Sequence, residues 1–128
     1  MELEKKSLNG KYIYNVTGRV DTQTAPDLQD VFEEDLNNYE QKQEQVQIVL
    51  NLQNVEYLSS AGLRAVLYVK KRLDAFANDS TMIIANERPE VKEIFEMTGF
   101  TDFLSFGLLD ESGNIIENTE ISENSENS

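Results

Sequence analysis

The chain has 128 residues, 11 Lys and Arg against 24 Asp and Glu, no His and no Cys, for a formal net charge of −13. Without Cys or His it can form no disulfide, thiolate nucleophile or Cys/His zinc site, and no Ser-His-Asp arrangement to deprotonate a serine. The negative charge argues against nucleic acid, because phosphate binding draws its free energy from Lys and Arg displacing condensed counterions.

This length suits one domain, which buries roughly two thirds of the surface its unfolded chain exposes. The first residues, MELEKKSL, carry charge where a secretory signal needs an apolar stretch, and the longest apolar run, Ala65 to Val69, falls far short of the roughly 20 residues of a membrane span. The expectation is a cytoplasmic protein with no membrane partner. After Leu109 come six acids (Asp110, Glu111, Glu117, Glu120, Glu123, Glu126) and no base, which leaves −7 on residues 1–109. Residues 110–128 are therefore read as an acidic, disordered tail, with Ile115, Ile116 and Ile121 too few to offset the entropy of ordering it.

In chain order, Lys11 to Thr17 alternates at period two, with Tyr12, Tyr14 and Val16 on one side and Ile13 and Asn15 on the other, which predicts a strand. It pairs with Leu3 to Leu8 across an Asn9-Gly10 turn. Thr24 is placed to cap a helix that Pro26 helps start, with Leu28, Val31, Phe32 and Leu36 on its inner face. Its acids Glu33, Glu34 and Asp35 fall late in the helix, against the dipole, so packing has to hold it. Val46 to Leu52 reads as a central strand, apolar enough to be covered on both faces.

A second helix follows Ser59-Ser60-Ala61-Gly62, with Leu63, Val66, Leu67, Val69, Leu73 and Phe76 inward and Arg64, Tyr68, Lys70, Lys71 and Asp74 outward. The Lys70-Lys71-Arg72 run is taken as a solvated face. Thr81 to Ala85 is another buried strand, and Pro89 opens a third helix, with Val91, Ile94, Phe95 and Met97 apolar, that Gly99 stops. Phe103 to Phe106 is read as a last short strand. The order implies an α/β fold with a mostly parallel sheet of four to five strands, an N-terminal antiparallel hairpin and three to four helices.

In such sheets the loops leaving the strand carboxyl ends gather on one edge. Three are expected there: Gly18 to Thr24, Tyr57 to Gly62, and Asn86 to Pro89. The Ser59-Ser60 turn stands out, because two hydroxyls sit where a helix begins and unpaired amides face outward. A phosphate there adds a charge of about −1.5 to −2 beside a positive helix end, which the fold tolerates but an overlying partner does not. From local chemistry alone, either serine can equally be a plain helix cap, and Gly62 a packing residue.

The segment from Val55 to Leu67, VEYLSSAGLRAVL, resembles the signature of STAS-domain anti-sigma factor antagonists. Gly18 to Ala25, GRVDTQTA, is similar to their Gly-x-Leu-Asp-x-x-Thr-Ala; Ala85 to Val91 and Met97 to Phe100 are similar to their Asn-x-x-Pro-x-Val and Thr-Gly-Leu. The resemblance covers roughly residues 3 to 109. It implies a STAS domain over residues 1–109 that binds an anti-sigma factor, usually a serine protein kinase, and so frees the sigma factor. Phosphorylation of one serine ends that binding and a PP2C-type phosphatase restores it. The resemblance places the phosphoacceptor at Ser60 and a partner-binding surface at Asp21, Thr22, Thr24, Ser59, Ser60, Ala61, Gly62, Arg64 and Asn86. At one position the chain departs: where many members have Asp before the phosphoserine it has Ser59, which becomes a second candidate acceptor.

The alternative is a constitutive STAS adaptor in a transporter or signalling complex, with both serines as caps. Asp21 and Ser60 could in principle form a hydrolytic pair, but no histidine can act as base and no Gly-x-Ser-x-Gly elbow occurs, so no enzyme is expected. No cofactor or metal is expected, since no Gly-rich phosphate loop is present. A monomer is expected, because no apolar stripe remains once the helices cover the sheet.

Overall fold

The computed structural model describes residues 1–117. Strand β1 (Glu2–Leu8) and β2 (Lys11–Val20) form the expected hairpin, in register from Glu2↔Thr17 to Leu8↔Lys11. Its turn has positive φ at both Asn9 (54°) and Gly10 (79°), the mirror-image geometry whose twist matches that of the strands. There follow α1 (Ala25–Gln41), β3 (Gln47–Leu58), α2 (Ser60–Asp74), β4 (Thr81–Ala85), α3 (Pro89–Thr98), a 3₁₀ turn (Phe100–Asp102), β5 (Ser105–Leu109) and β6 (Ile115–Glu117).

The sheet has six strands in the order β1-β2-β3-β4-β5-β6, with β2 to β5 parallel and an antiparallel strand at each edge. This corrects the four to five strands expected, and β6 lies where the sequence suggested a disordered tail. The strand order never reverses. Right-handed crossovers that always step the same way put all their helices on one face. Tyr14, Val16, Ile48, Leu50 and Ile84 accordingly share one core with Leu28, Phe32 and Leu36 of α1, Leu63, Val66 and Leu73 of α2, and Val91 and Phe95 of α3.

Although the central strand is covered on both faces as expected, the opposite face carries no helix. Its apolar residues Ile13, Val49 and Ala85 are covered instead by Leu109 and Ile115 of the β5–β6 hairpin. The tips of the two hairpins meet, where Asn9 Nδ2 donates to the Ser112 carbonyl at 2.8 Å. Over its first half both faces of β3 are covered, one by helices and one by hairpins.

Several expectations are corrected in detail. Val31, placed on an inner helix face, is 38% exposed, and Met97, read as one of the apolar residues of its helix, is 77% exposed; the buried faces of the two helices are carried by Leu28, Phe32, Leu36, Val91 and Phe95. Phe76 is buried but lies beyond the end of α2. The last expected strand is shifted toward the C-terminus, leaving Phe103 outside it and exposed. Of the late acids of α1, Asp35 finds partners: it accepts from the Tyr14 hydroxyl at 2.7 Å and pairs with Lys5 at 3.2 Å. Tyr14 also meets the Tyr39 hydroxyl at 2.8 Å, and burial pushes the Tyr39 phenol up to about 12. Among the described residues no helix is long and apolar enough to cross a membrane.

Candidate functional site

The site forms where β2 and β3 outrun β4. Pairing between β3 and β4 stops at Asn51↔Ala85, whereas β2 and β3 stay paired to Val20↔Leu58. The sequence ended this strand at Leu52, six residues early, because Gln53, Asn54, Glu56 and Tyr57 are polar or exposed. That is the pattern of a strand that has lost its neighbour on one side.

At the top of the ladder the Ser59 amide donates to the Val20 carbonyl at 2.8 Å, which ties the start of α2 to the end of β2. Ser59 is the N-cap: extended backbone, a hydroxyl that accepts from the Gly62 amide at 3.1 Å, and a carbonyl that accepts from Leu63 at 2.9 Å. It is only 9% exposed. Ser60 is the first helical residue and is exposed, as is Arg64 four positions on.

Gly62 faces the sheet ends. A Cβ built there would lie 2.6 Å from Leu58 Cδ1, 2.9 Å from Val20 Cγ1 and 3.0 Å from the Val20 carbonyl oxygen. Only glycine lets the first turn of α2 sit this close, so Ser60 is held tightly against the strands at the edge of the fold.

The β2–α1 loop stands beside it. Asp21 Oδ1 accepts from the amides of Gln23 at 3.0 Å and Thr24 at 3.1 Å, an Asx turn that launches α1. These bonds, the Thr24 amide foremost, hold the Asp21 carboxyl below the usual carboxylate range, with its Arg19 neighbour contributing least. Thr24 occupies the N-cap position but makes no side-chain cap, correcting the expectation. Its hydroxyl turns back to accept from the Asp21 amide at 2.9 Å and lies 3.0 Å from the Arg19 carbonyl. The first amides of α1 are met by backbone instead, Ala25 donating to the Asp21 carbonyl at 2.8 Å and Asp27 to the Thr24 carbonyl at 3.0 Å. Thr22 sits exposed at the loop tip.

Asn86 does not join this group. Its amide is bonded to the backbone of Leu109 at both ends, at 3.0 Å each, and its φ of 58° makes it a turn residue. It stands level with the middle of β3, roughly 20 Å along the strand from Ser59. Arg88, in the same loop, donates to the Gln53 carbonyl at 3.1 Å. Two of the three expected loops therefore converge and the third stands apart, because sequential strand order leaves no crevice of the kind that a reversal would create.

The sequence missed one feature. Arg19 and Tyr57 are opposite in register, and the Arg19 guanidinium lies 4.5 Å from the Tyr57 ring centroid, a cation–π contact at the same edge. Both residues belong to segments already singled out, but their pairing was invisible while β3 was ended at Leu52.

The comparisons with known proteins bear on this arrangement. The STAS domain profile matches residues 2–119. BtrV of Bordetella bronchiseptica, which carries the name of an anti-sigma factor antagonist, is 31% identical over 78% of this chain and 80% of its own. The anti-sigma-B factor antagonist of Staphylococcus aureus is 28% identical over 81% of this chain and 90% of its own. The phosphorylated form of the Bacillus cell fate determinant SpoIIAA superposes with a TM-score of 0.62 at 14% identity, over 97% and 99% of the two chains. The family match runs past Leu109, as the strand β6 does. By profile, by relatives and by fold, the chain belongs to the STAS-domain family, alongside proteins named as anti-sigma factor antagonists.

Proposed function

We propose that this chain is an anti-sigma factor antagonist worked by phosphorylation of Ser60. Unmodified, it binds an anti-sigma factor of the serine protein kinase type and so releases a sigma factor; phosphorylated, it lets go, and a PP2C-type phosphatase resets it. The observation that carries the reading is the division of labour between the two serines. Ser59 is buried and its hydroxyl is committed to the Gly62 amide, whereas Ser60 is exposed at the first position of α2. A phosphoacceptor has to reach a kinase, and only the second hydroxyl is free to do so.

The names of two relatives and the phosphorylated state of a structural neighbour support the same reading. A phosphate on Ser60 would lie beside the first amides of α2, where negative charge is favoured, so the domain keeps its fold and only its surface changes. Asp21, Thr22, Ala61 and Arg64 complete the surface around it. Asn86 takes no part in it.

The test is binding of Ser60→Asp to the kinase that co-purifies with the wild-type chain. At least tenfold weaker binding, about 1.4 kcal/mol, with an unchanged thermal midpoint is expected. Equal affinity for the two proteins removes Ser60 from the switch and favours a constitutive adaptor.

A further inference from the structure

Helix α2 is the basic element of an acidic protein. It carries Arg64, Lys70, Lys71 and Arg72 against the single acid Asp74, while α1 beside it has six acids and no base. The four cations are not equivalent. Lys70 pairs with Asp74 at 2.9 Å. Arg72 donates to the Tyr68 hydroxyl and to Asn37, both at 2.9 Å, and lies 3.5 Å from Glu40. Both are thus committed within the chain. Arg64 and Lys71 are exposed, and among the described residues neither has an acid within ion-pair distance.

Their placement follows from helix geometry. At about 100° per residue, Arg64 and Lys71 fall within about 40° of Ser60 around the axis, together with the half-buried Leu67 and with Asp74, whose charge Lys70 already meets, while the buried residues Gly62, Val66, Val69 and Leu73 lie on the far side. Lys70 and Arg72 fall on the flanks. The crest is thus a line of about 16 Å with a hydroxyl at one end and two unpaired cations along it.

We infer that this crest, Ser60 with Arg64 and Lys71, is a basic docking ridge for an acidic surface of the anti-sigma factor, and that phosphorylation of Ser60 acts by cancelling the ridge's charge. The inference rests on the functional reading above and gives that site its chemistry. At physiological salt a charge is felt over about 8 Å, so the sign of the ridge, rather than the −13 of the whole chain, governs a partner at contact. Two cations set against a phosphate of about −1.5 to −2 leave the ridge near neutral. Arg64, one turn from Ser60, is the cation best placed to be drawn to the phosphate and away from the partner.

The experiment measures association rates with the kinase that co-purifies with the wild-type chain, prepared separately, at 50 mM and 500 mM NaCl. The double variant R64E/K71E is compared with K42E/K92E, which makes the same change in net charge at exposed positions off the ridge. The expected result is association at least tenfold slower for the ridge variant at 50 mM, within about threefold of wild type at 500 mM, and far less change for the control. Adding Ser60→Asp to the ridge variant should then weaken binding by much less than it does in wild type. Equal slowing by both double variants, or none by the ridge variant, overturns the inference while the phospho-switch stands. A wild-type chain that captures no such kinase overturns both.

Discussion

The Ser59 hydroxyl accepts a hydrogen bond from the Gly62 amide at 3.1 Å, and this contact separates two adjacent serines that local chemistry alone leaves equivalent. Removing it should cost stability and nothing else. Ser59→Ala is expected to lose about 1 kcal/mol, a fall of about 4 °C in thermal midpoint, with Ser60 phosphorylated as before. Ser59→Asp, which caps equally well and suits the helix dipole, should melt close to wild type. Differential scanning calorimetry of both variants checks this.

Gly62→Ala should be among the more damaging small substitutions in the chain. The added carbon meets Val20 and Leu58 at 3.0 Å or less, and one of those contacts is backbone that cannot rotate away. Overpacking of this kind costs about 1–3 kcal/mol, to be read as a lower denaturation midpoint with an unchanged slope.

Two carboxyls should bend the pH dependence of stability in opposite directions. The depressed pKa of Asp21 gives stability that is present above its unfolded value and lost as pH falls through the folded one, so Asp21→Asn should flatten the acid limb. Glu87 is the reverse case: burial raises its pKa against the opposing pull of its own backbone amide and Lys92, and its Oε1 has no hydrogen-bond partner. Here the folded state binds the proton more tightly, so stability declines as pH rises from about 4.5 through the raised value. Glu87→Gln should therefore be more stable than wild type at pH 7 and equal to it below pH 4, as read from urea titrations across that range.

A chain cut after Leu109 should be less stable than one cut after Thr119. The shorter chain loses Ile115, which covers Ile13, Val49 and Ala85. It also loses the Ser112 carbonyl that receives Asn9. Uncovering this apolar surface should cost about 2 kcal/mol, and equal denaturation midpoints would show that the β5–β6 hairpin adds nothing to the fold.

Those features of the sequence that follow from local chemistry were legible in it. The Asn9-Gly10 hairpin, the buried Thr81 to Ala85 strand and the stop at Gly99 all stand where turn residues and periodicity put them. Features that depend on neighbours were not. The outer half of β3 is polar because β4 has ended beside it, and β6 is only three residues long in a stretch rich in Glu, Asn and Ser, with its apolar side meeting a hairpin from the other end of the chain. Disorder of residues 118–128, expected from composition, lies outside the described residues. At the site, the motif resemblance drew Asn86 in with the rest, whereas its backbone conformation and its bonds to Leu109 give it a structural task. The resemblance put the phosphoacceptor at Ser60 with Ser59 as second candidate, whereas local chemistry alone could not say which serine caps the helix, a choice that the bond from the Gly62 amide to Ser59 decides.

The most direct test of the account is phosphopeptide mapping of the protein isolated from its own cells, in growth and under stress, across the tryptic peptide that ends at Arg64. Phosphate on Ser60, changing with condition while Ser59 stays unmodified, is the predicted result. Phosphate on Ser59, or an unmodified peptide in every condition, would contradict it.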